Sequence, residues 1–219
     1  MLGVALGIVV ANAGEWLIHK HVLHGLGADR QSYWAFHWHD HHRHARRNSF
    51  RDEAYERSVF EPGGKSREAL GLLSMAAAVS PLFPVAPWFV GTLWASGAAY
   101  YAVHRQSHLD PAWARKWVPW HYDHHMGANQ HANWCVTFPL MDYVMGTRIP
   151  YAGTDAERLD QQKEQRRAAS RAEFAARRQA EVSAAEAASV ESASATERVG
   201  VSGQGAATVT GEPSLEPAA

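Results

Sequence analysis

The chain has a single cysteine, Cys135, so no internal disulfide can form. It has no Gly-rich dinucleotide fingerprint, which leaves no place for an internal flavin or nicotinamide domain. No long basic run interleaves with aromatics and the formal net charge is −1, so the electrostatic footprint of a nucleic-acid binder is missing. Charge itself is absent over two stretches: residues 1–14 and 69–103 contain no Asp, Glu, Lys, Arg or His. The second is too long for one buried helix and long enough for two short membrane passes, with Pro81, Pro84 and Pro87 in the middle where a hairpin would turn. The mean hydropathy of −0.34 hides this, because it averages apolar segments with a polar tail.

What is present is unevenly placed. All fourteen histidines lie within positions 19–131 and all nine tryptophans within 16–134, whereas nothing after Thr154 is of either type. The length suits one ordinary domain, and the working part is residues 1–150. A charged, Ala-rich surface helix is expected over 151–188. The Ser, Ala, Gly, Thr, Glu and Pro composition of 189–219 cannot bury enough apolar area to offset ordering entropy, so disorder is expected there.

The uncharged N-terminal stretch reads as a retained membrane helix of about residues 2–24, ended by Gly25 and Gly27. A signal peptide would begin with a positive region and end in a small-residue cleavage site; here histidines follow the apolar run at once. Residues 49–65 read as a loop, and Asp110-Pro111 as a new helix start. The basic residues nearest the apolar segments include Lys20, Arg30, Arg43, Lys65, Arg67 and Arg105, which the positive-inside tendency assigns to the cytoplasm. One entering helix plus one hairpin then brings every histidine cluster to the same cytoplasmic face.

The histidines fall in four groups: His19, His21 and His24; His37, His39, His41, His42 and His44; His104 and His108; and His121, His124 and His125. Residues three or four apart share a helix face, so His104 with His108, and His121 with His124 and His125, can each present imidazoles to one centre. Imidazole suits iron, zinc, copper and nickel. A lone histidine would more often be a satisfied core or interfacial residue. A set confined to the expected membrane boundary, interrupted and internal, points to a metal site.

The pattern His19-x4-His24, a His-His cluster, His104-x3-His108 and His121-x2-His124-His125 resembles the fatty acid hydroxylase and sterol desaturase superfamily, in particular its fatty acid 2-hydroxylase branch. Asn129, Asn133, Thr137, Pro139, Asp142, Gly146 and Thr147 resemble that family's closing stretch. The resemblance implies an all-α protein of integral membrane helices with a cytoplasmic histidine-rich cap holding a dimetal centre. It implies two iron ions and O₂-dependent oxidation of a lipid C–H bond; zinc could occupy such a site in purified protein, because affinity alone does not select iron. The ligands carried over are His19, His24, His41, His42, His104, His108, His121, His124 and His125. The second box departs from the family's form because Trp38 stands three before His41; either His37 or His39 completes it. A shared helical stripe with His41 and His44 favours His37, and a distorted turn favours His39.

Glu15, Asp123 and Asn129 are candidates to accept the second N–H of ligand imidazoles, and Tyr100 and Tyr101 for an entrance or an interfacial belt. The expected function is therefore a lipid hydroxylase that draws electrons from an external donor protein. A desaturase or carotenoid hydroxylase of the same superfamily is a second reading, and a membrane metal-binding protein without catalysis a third. A transport path would need ionisable groups inside the spans, and the spans are clean.

Overall fold

A computed structural model describes residues 1–202, with side chains to 189. The helical elements are α1 (Leu2–Leu17), a π-helical stretch Ile18–Gly25, a second π-helical stretch Phe36–His42, α2 (Arg43–Arg47), α3 (Gly64–Val79), α4 (Pro87–Leu109), α5 (Pro111–Trp117), α6 (Pro119–Met126), α7 (Leu140–Val144) and α8 (Asp155–Ser202). No strand occurs among the described residues. Met1–Leu159 forms one compact unit, and the residues from Asp160 a second.

In the first unit α1 packs on α4 at close range, which its small residues permit. A Cβ on Gly7 would stand 2.7 Å from the Thr92 Cβ, and one on Gly3 would stand 3.3 Å from Phe89 N. Glycines four apart on α1 thus let the two helix backbones come close. The α3–α4 hairpin turns through 80–86 as its prolines predict, and Trp94 closes it by donating to Ala76 O and stacking on Phe83. Asp110 caps α5 by accepting from Trp113 N at 3.0 Å, with Pro111 at the first helical position.

Leu2–Ala28 is the one continuous helix among the described residues that is long and apolar enough to cross a membrane. The three expected passes thus reduce, by length and apolarity, to one: α3 has 16 residues, and the apolar residues of α4 are interleaved with Gly, Ser, Thr, Tyr and Trp.

The interior is unusual in kind. Its apolar clusters are small, one of Trp16, Trp134 and Cys135 and another of Phe50, Ala114 and Val118. Many of the larger apolar side chains lie outside, as with Leu2, Leu73 and Trp88 at 83%, 66% and 73% exposure. What fills the middle is imidazole.

From Gln161 to Ser189 the described side chains of α8 are exposed, and local pairs such as Lys163–Asp160 and Arg177–Glu173 join its neighbouring turns. Its helical backbone continues to Ser202, past the expected end near 188; the rest of the expected disordered tail, 203–219, lies outside the described residues.

Candidate metal centre

The first box sits on a π-helix for a geometric reason. In an α-helix, residues five apart are rotated about 140° from each other, so His19 and His24 could not face one centre. A backbone that bonds i to i+5 brings them nearly into line, and both are buried on one side while His21 is exposed. The second box repeats the solution. On the π-helix Phe36–His42, His37 and His42 are five apart and converge with His19, His24 and His124, whereas His41 joins His104, His108 and His125.

Each of these two buried sets has its potential ligand atoms within 4.8 Å of one another, close enough to hold a metal ion. Adjacent residues on single elements are sorted between the sets, His41 from His42 and His124 from His125. His121 lies beside the second set, its Nε2 3.2 Å from His108 Nε2.

The tautomers follow from the outward-facing nitrogens. Nδ1 of His19 donates to Trp134 O at 2.5 Å, that of His124 to Ala132 O at 2.6 Å, and that of His108 to Phe50 O at 2.8 Å. A carbonyl oxygen can only accept, so these rings carry their proton on Nδ1 and a lone pair on Nε2. His41 donates likewise to Asp52 at 3.0 Å, His104 to Glu68 at 2.5 Å, and His42 to Gln130 Oε1 at 2.9 Å.

The Nε2 atoms then face inward. In the first set His24 and His42, His124 and His24, and His124 and His42 all approach at 3.1 Å. In the second, the Nε2 atoms of His41, His104 and His125 are buried without a hydrogen-bond partner. Converging buried lone pairs repel one another and are desolvated, a costly arrangement that a shared cation relieves. The donor set therefore fits metal ions, and the outer hydrogen bonds are the kind that orient imidazole ligands.

Electrostatics agree. Burial drives His37, His42, His108, His121 and His125 well below the usual histidine range, and the surrounding imidazoles push the same way. His41 is lowered by burial too, and His124 is pushed down to about 3. All are neutral at pH 7, the ligand form. Burial works to raise the Asp52 carboxyl, but the hydrogen bonds it accepts from His41 and from Ala54 N hold it below the ordinary range.

Of the eleven histidines singled out from the sequence, nine fall in the two sets and His121 lies beside the second. His39 stands apart, its Nε2 meeting Ala28 O at 2.9 Å, and it is His37 that joins the buried rings. His44 is exposed and pairs with Glu53. The proposed acceptors are corrected as well. Glu15 receives Val136 N and Thr137 N, Asp123 pairs with Arg148, and Asn129 receives the backbone N–H of His131.

The acceptors in place are Asp52, Glu68, Gln130 and three carbonyls, for which no spacing rule exists. Two of those carbonyls flank Asn133, whose φ of +59° is the left-handed conformation that Asn tolerates. Reversing the chain there lets Ala132 O and Trp134 O both reach ligand rings. Phe50, whose carbonyl holds His108, has φ +78°. Asp142, fully buried, ties the same loop by accepting from Trp134 N and Cys135 N.

A groove of about 1790 Å³ runs from this centre along the apolar helices. Ile8, Ile18, Leu72, Ala76, Tyr101 and Phe138 are among its walls, and His19, His37 and His41 among its lining residues. Among the described residues the fold and site thus define an all-helical protein with two buried histidine clusters, each of which could hold a metal ion, beside an apolar groove. Comparison with protein-family models, with curated proteins and with solved structures finds no match.

Proposed function

We propose that this protein is a membrane-bound non-haem di-iron oxygenase of the fatty acid hydroxylase and sterol desaturase type. It hydroxylates a C–H bond of a lipid with O₂ and electrons from an external donor. The observation that carries the reading is the meeting of the two histidine sets with a long apolar groove whose outer walls are exposed aliphatic helices. A chain with its leucines outside and its imidazoles inside is arranged for a hydrocarbon surrounding. The exposed side chains of α1, the hairpin and its turn form the surface that would meet lipid, with Leu2–Ala28 as the membrane helix and the histidine boxes at its cytoplasmic end.

When loaded, the metal pair supplies the activation of O₂. The chain supplies the rest. The groove takes up an acyl or sterol-like chain and excludes water from its reacting end. Asp52, Glu68, Gln130 and the carbonyls of Phe50, Ala132 and Trp134 hold a proton on each partner Nδ1, which keeps every Nε2 available and each ring in fixed orientation. The overall reaction places one oxygen atom in the C–H bond and releases the other as water, consuming two electrons and two protons.

Profiling the lipids of cells with and without the protein under ¹⁸O₂ tests this. A lipid gaining one labelled oxygen is expected. Loss of two hydrogens without label would instead assign a desaturase, and an unchanged lipidome with metal still bound would assign a metal-binding protein without catalysis.

A further inference from the structure

A second cavity, of about 430 Å³, opens beside the metal centre. Arg30, Arg43, Arg46 and Arg47 line it, and no carboxylate does. All four arginines are exposed, and none is in an ion pair among the described residues. Arg46 is anchored by donating to the carbonyls of His125 and Gly127. Four uncompensated cations on one concave surface repel each other, a cost that binding an anionic partner turns to gain.

The cavity also touches the metal centre directly, because His42 and Gln130 lie in its wall. Trp38 lines it too and stacks on the exposed His131, ring centroids 5.2 Å apart and planes within 28°. The inner edge of Trp38 meets His24 at 4.8 Å and His42 at 5.3 Å, both members of the first ligand set. His131 meets His24 at 5.7 Å. An unbroken series of ring contacts therefore joins the cationic surface to the ligands. A site for anionic lipid headgroups would have use for the arginines but none for this aromatic bridge.

We propose that the cavity is the docking face of an acidic one-electron carrier protein, and that the stacked Trp38 and His131 rings are where its electrons pass to the metal centre. The proposal rests on the oxygenase reading for the use to which the electrons are put. In that reaction R–H, O₂, two electrons and two protons give R–OH and H₂O. The carrier is oxidised twice per turnover and the protons come from water. Charge complementarity of this sort speeds encounter and is weakened by salt.

The test uses the full chain, iron-loaded, in nanodiscs of neutral phosphatidylcholine, with a reduced acidic plant-type [2Fe–2S] ferredoxin as probe. Ferredoxin affinity should fall about tenfold or more between low and moderate salt, and by a similar factor in the Arg30→Glu, Arg43→Glu double variant. Dithionite should reduce that variant at the parental rate. Trp38→Leu should bind ferredoxin normally yet oxidise it about tenfold more slowly, with the rate restored in Trp38→Phe and dithionite reduction unchanged throughout. Parental ferredoxin affinity in the double variant would overturn the docking face. So would a loss confined to its binding of phosphatidylserine vesicles, which would assign the arginines to headgroups. A parental rate in Trp38→Leu would overturn the aromatic route. Ferredoxin binding and oxidation that behave as expected while no lipid is ever oxygenated would remove the oxygenase reading and leave the docking face standing.

Discussion

The Nε2 atoms of His19 and His37 lie 3.0 Å apart in a buried space, while Nδ1 of His19 is committed to the Trp134 carbonyl. His19 therefore brings a lone pair to the contact, as do His42 and His124, whose Nδ1 atoms are committed to Gln130 and Ala132, and the first set is arranged so that it could share a cation. The second set repeats this with three buried Nε2 atoms that meet no protein donor.

Removing a ligand should empty one position and spare the other. His24→Ala and His108→Ala are each expected to lower the metal content from two ions per chain to about one, because the sets have no ligand in common. His21→Ala, His39→Ala and His44→Ala should keep both ions, since these side chains point to solvent or to other partners. Metal analysis of the purified proteins decides it; a one-ion loss in His39→Ala would show that the second box is misassigned.

The outer carboxylates should matter almost as much as the ligands. Asp52→Asn and Glu68→Gln keep shape and remove charge, and each is expected to weaken metal binding in the second set by about 10–100-fold. Competition with a chelator of known affinity measures the change. Parental affinity in both variants would mean that their hydrogen bonds only pack the rings.

The metal-free protein should be acid-labile, and the sign is fixed by the direction of the shifts. Burial holds His37, His41, His42, His108, His121, His124 and His125 below the ordinary value in the folded chain. Unfolded, each returns to about 6.5. Above that pH both states are neutral and these groups give no pH dependence. Below it the unfolded chain takes up protons that the folded chain refuses, so stability falls as pH drops from about 6.5 toward the folded values, which for His124 is about 3. Denaturant titration of the metal-free protein between pH 7.5 and 5 should show the decline, at most about 1.4 kcal/mol per pH unit for each histidine. A flat profile would contradict it.

Helix contact far from the metal should also register at the centre. Gly7→Val forces a side chain into Thr92 and pushes α1, which runs directly into the π-helical stretch of the first box, from α4, which carries the third. A loss of thermal stability of about 1–3 kcal/mol is expected, together with weaker metal retention, and Thr92→Gly should recover part of both. Full metal retention in Gly7→Val would show that the boxes are held in place independently of α1–α4 packing.

Asn133 offers a conformational test. Asn133→Val places a β-branched residue at φ +59° and removes the bonds to Arg148 and Ile149, so it should cost at least about 1–3 kcal/mol and release metal from the first set. Asn133→Gly keeps the backbone conformation and should retain more metal than the valine variant. Equal metal content in the two would remove the argument that this residue aims the Ala132 and Trp134 carbonyls.

Much of the site is written in local sequence. The third and fourth histidine boxes, the Pro81 to Pro87 turn and the Asp110-Pro111 helix start follow from periodicity and from the backbone limits of proline, which act over a few residues. Other features were decided only by the fold. Whether His37 or His39 completes the second box depends on its winding as a π-helix, a backbone choice that residue spacing does not announce. The sorting of His41 from His42, and of His124 from His125, depends on which rings other helices bring opposite them. The partners that set each tautomer are equally remote: Trp134 O is 115 positions from His19, and Glu68 is 36 from His104. Sequence alone determined which imidazoles were available, because side-chain chemistry is intrinsic. Only tertiary structure determined which lone pairs meet, because a hydrogen bond or a shared cation depends on distances that chain order does not contain.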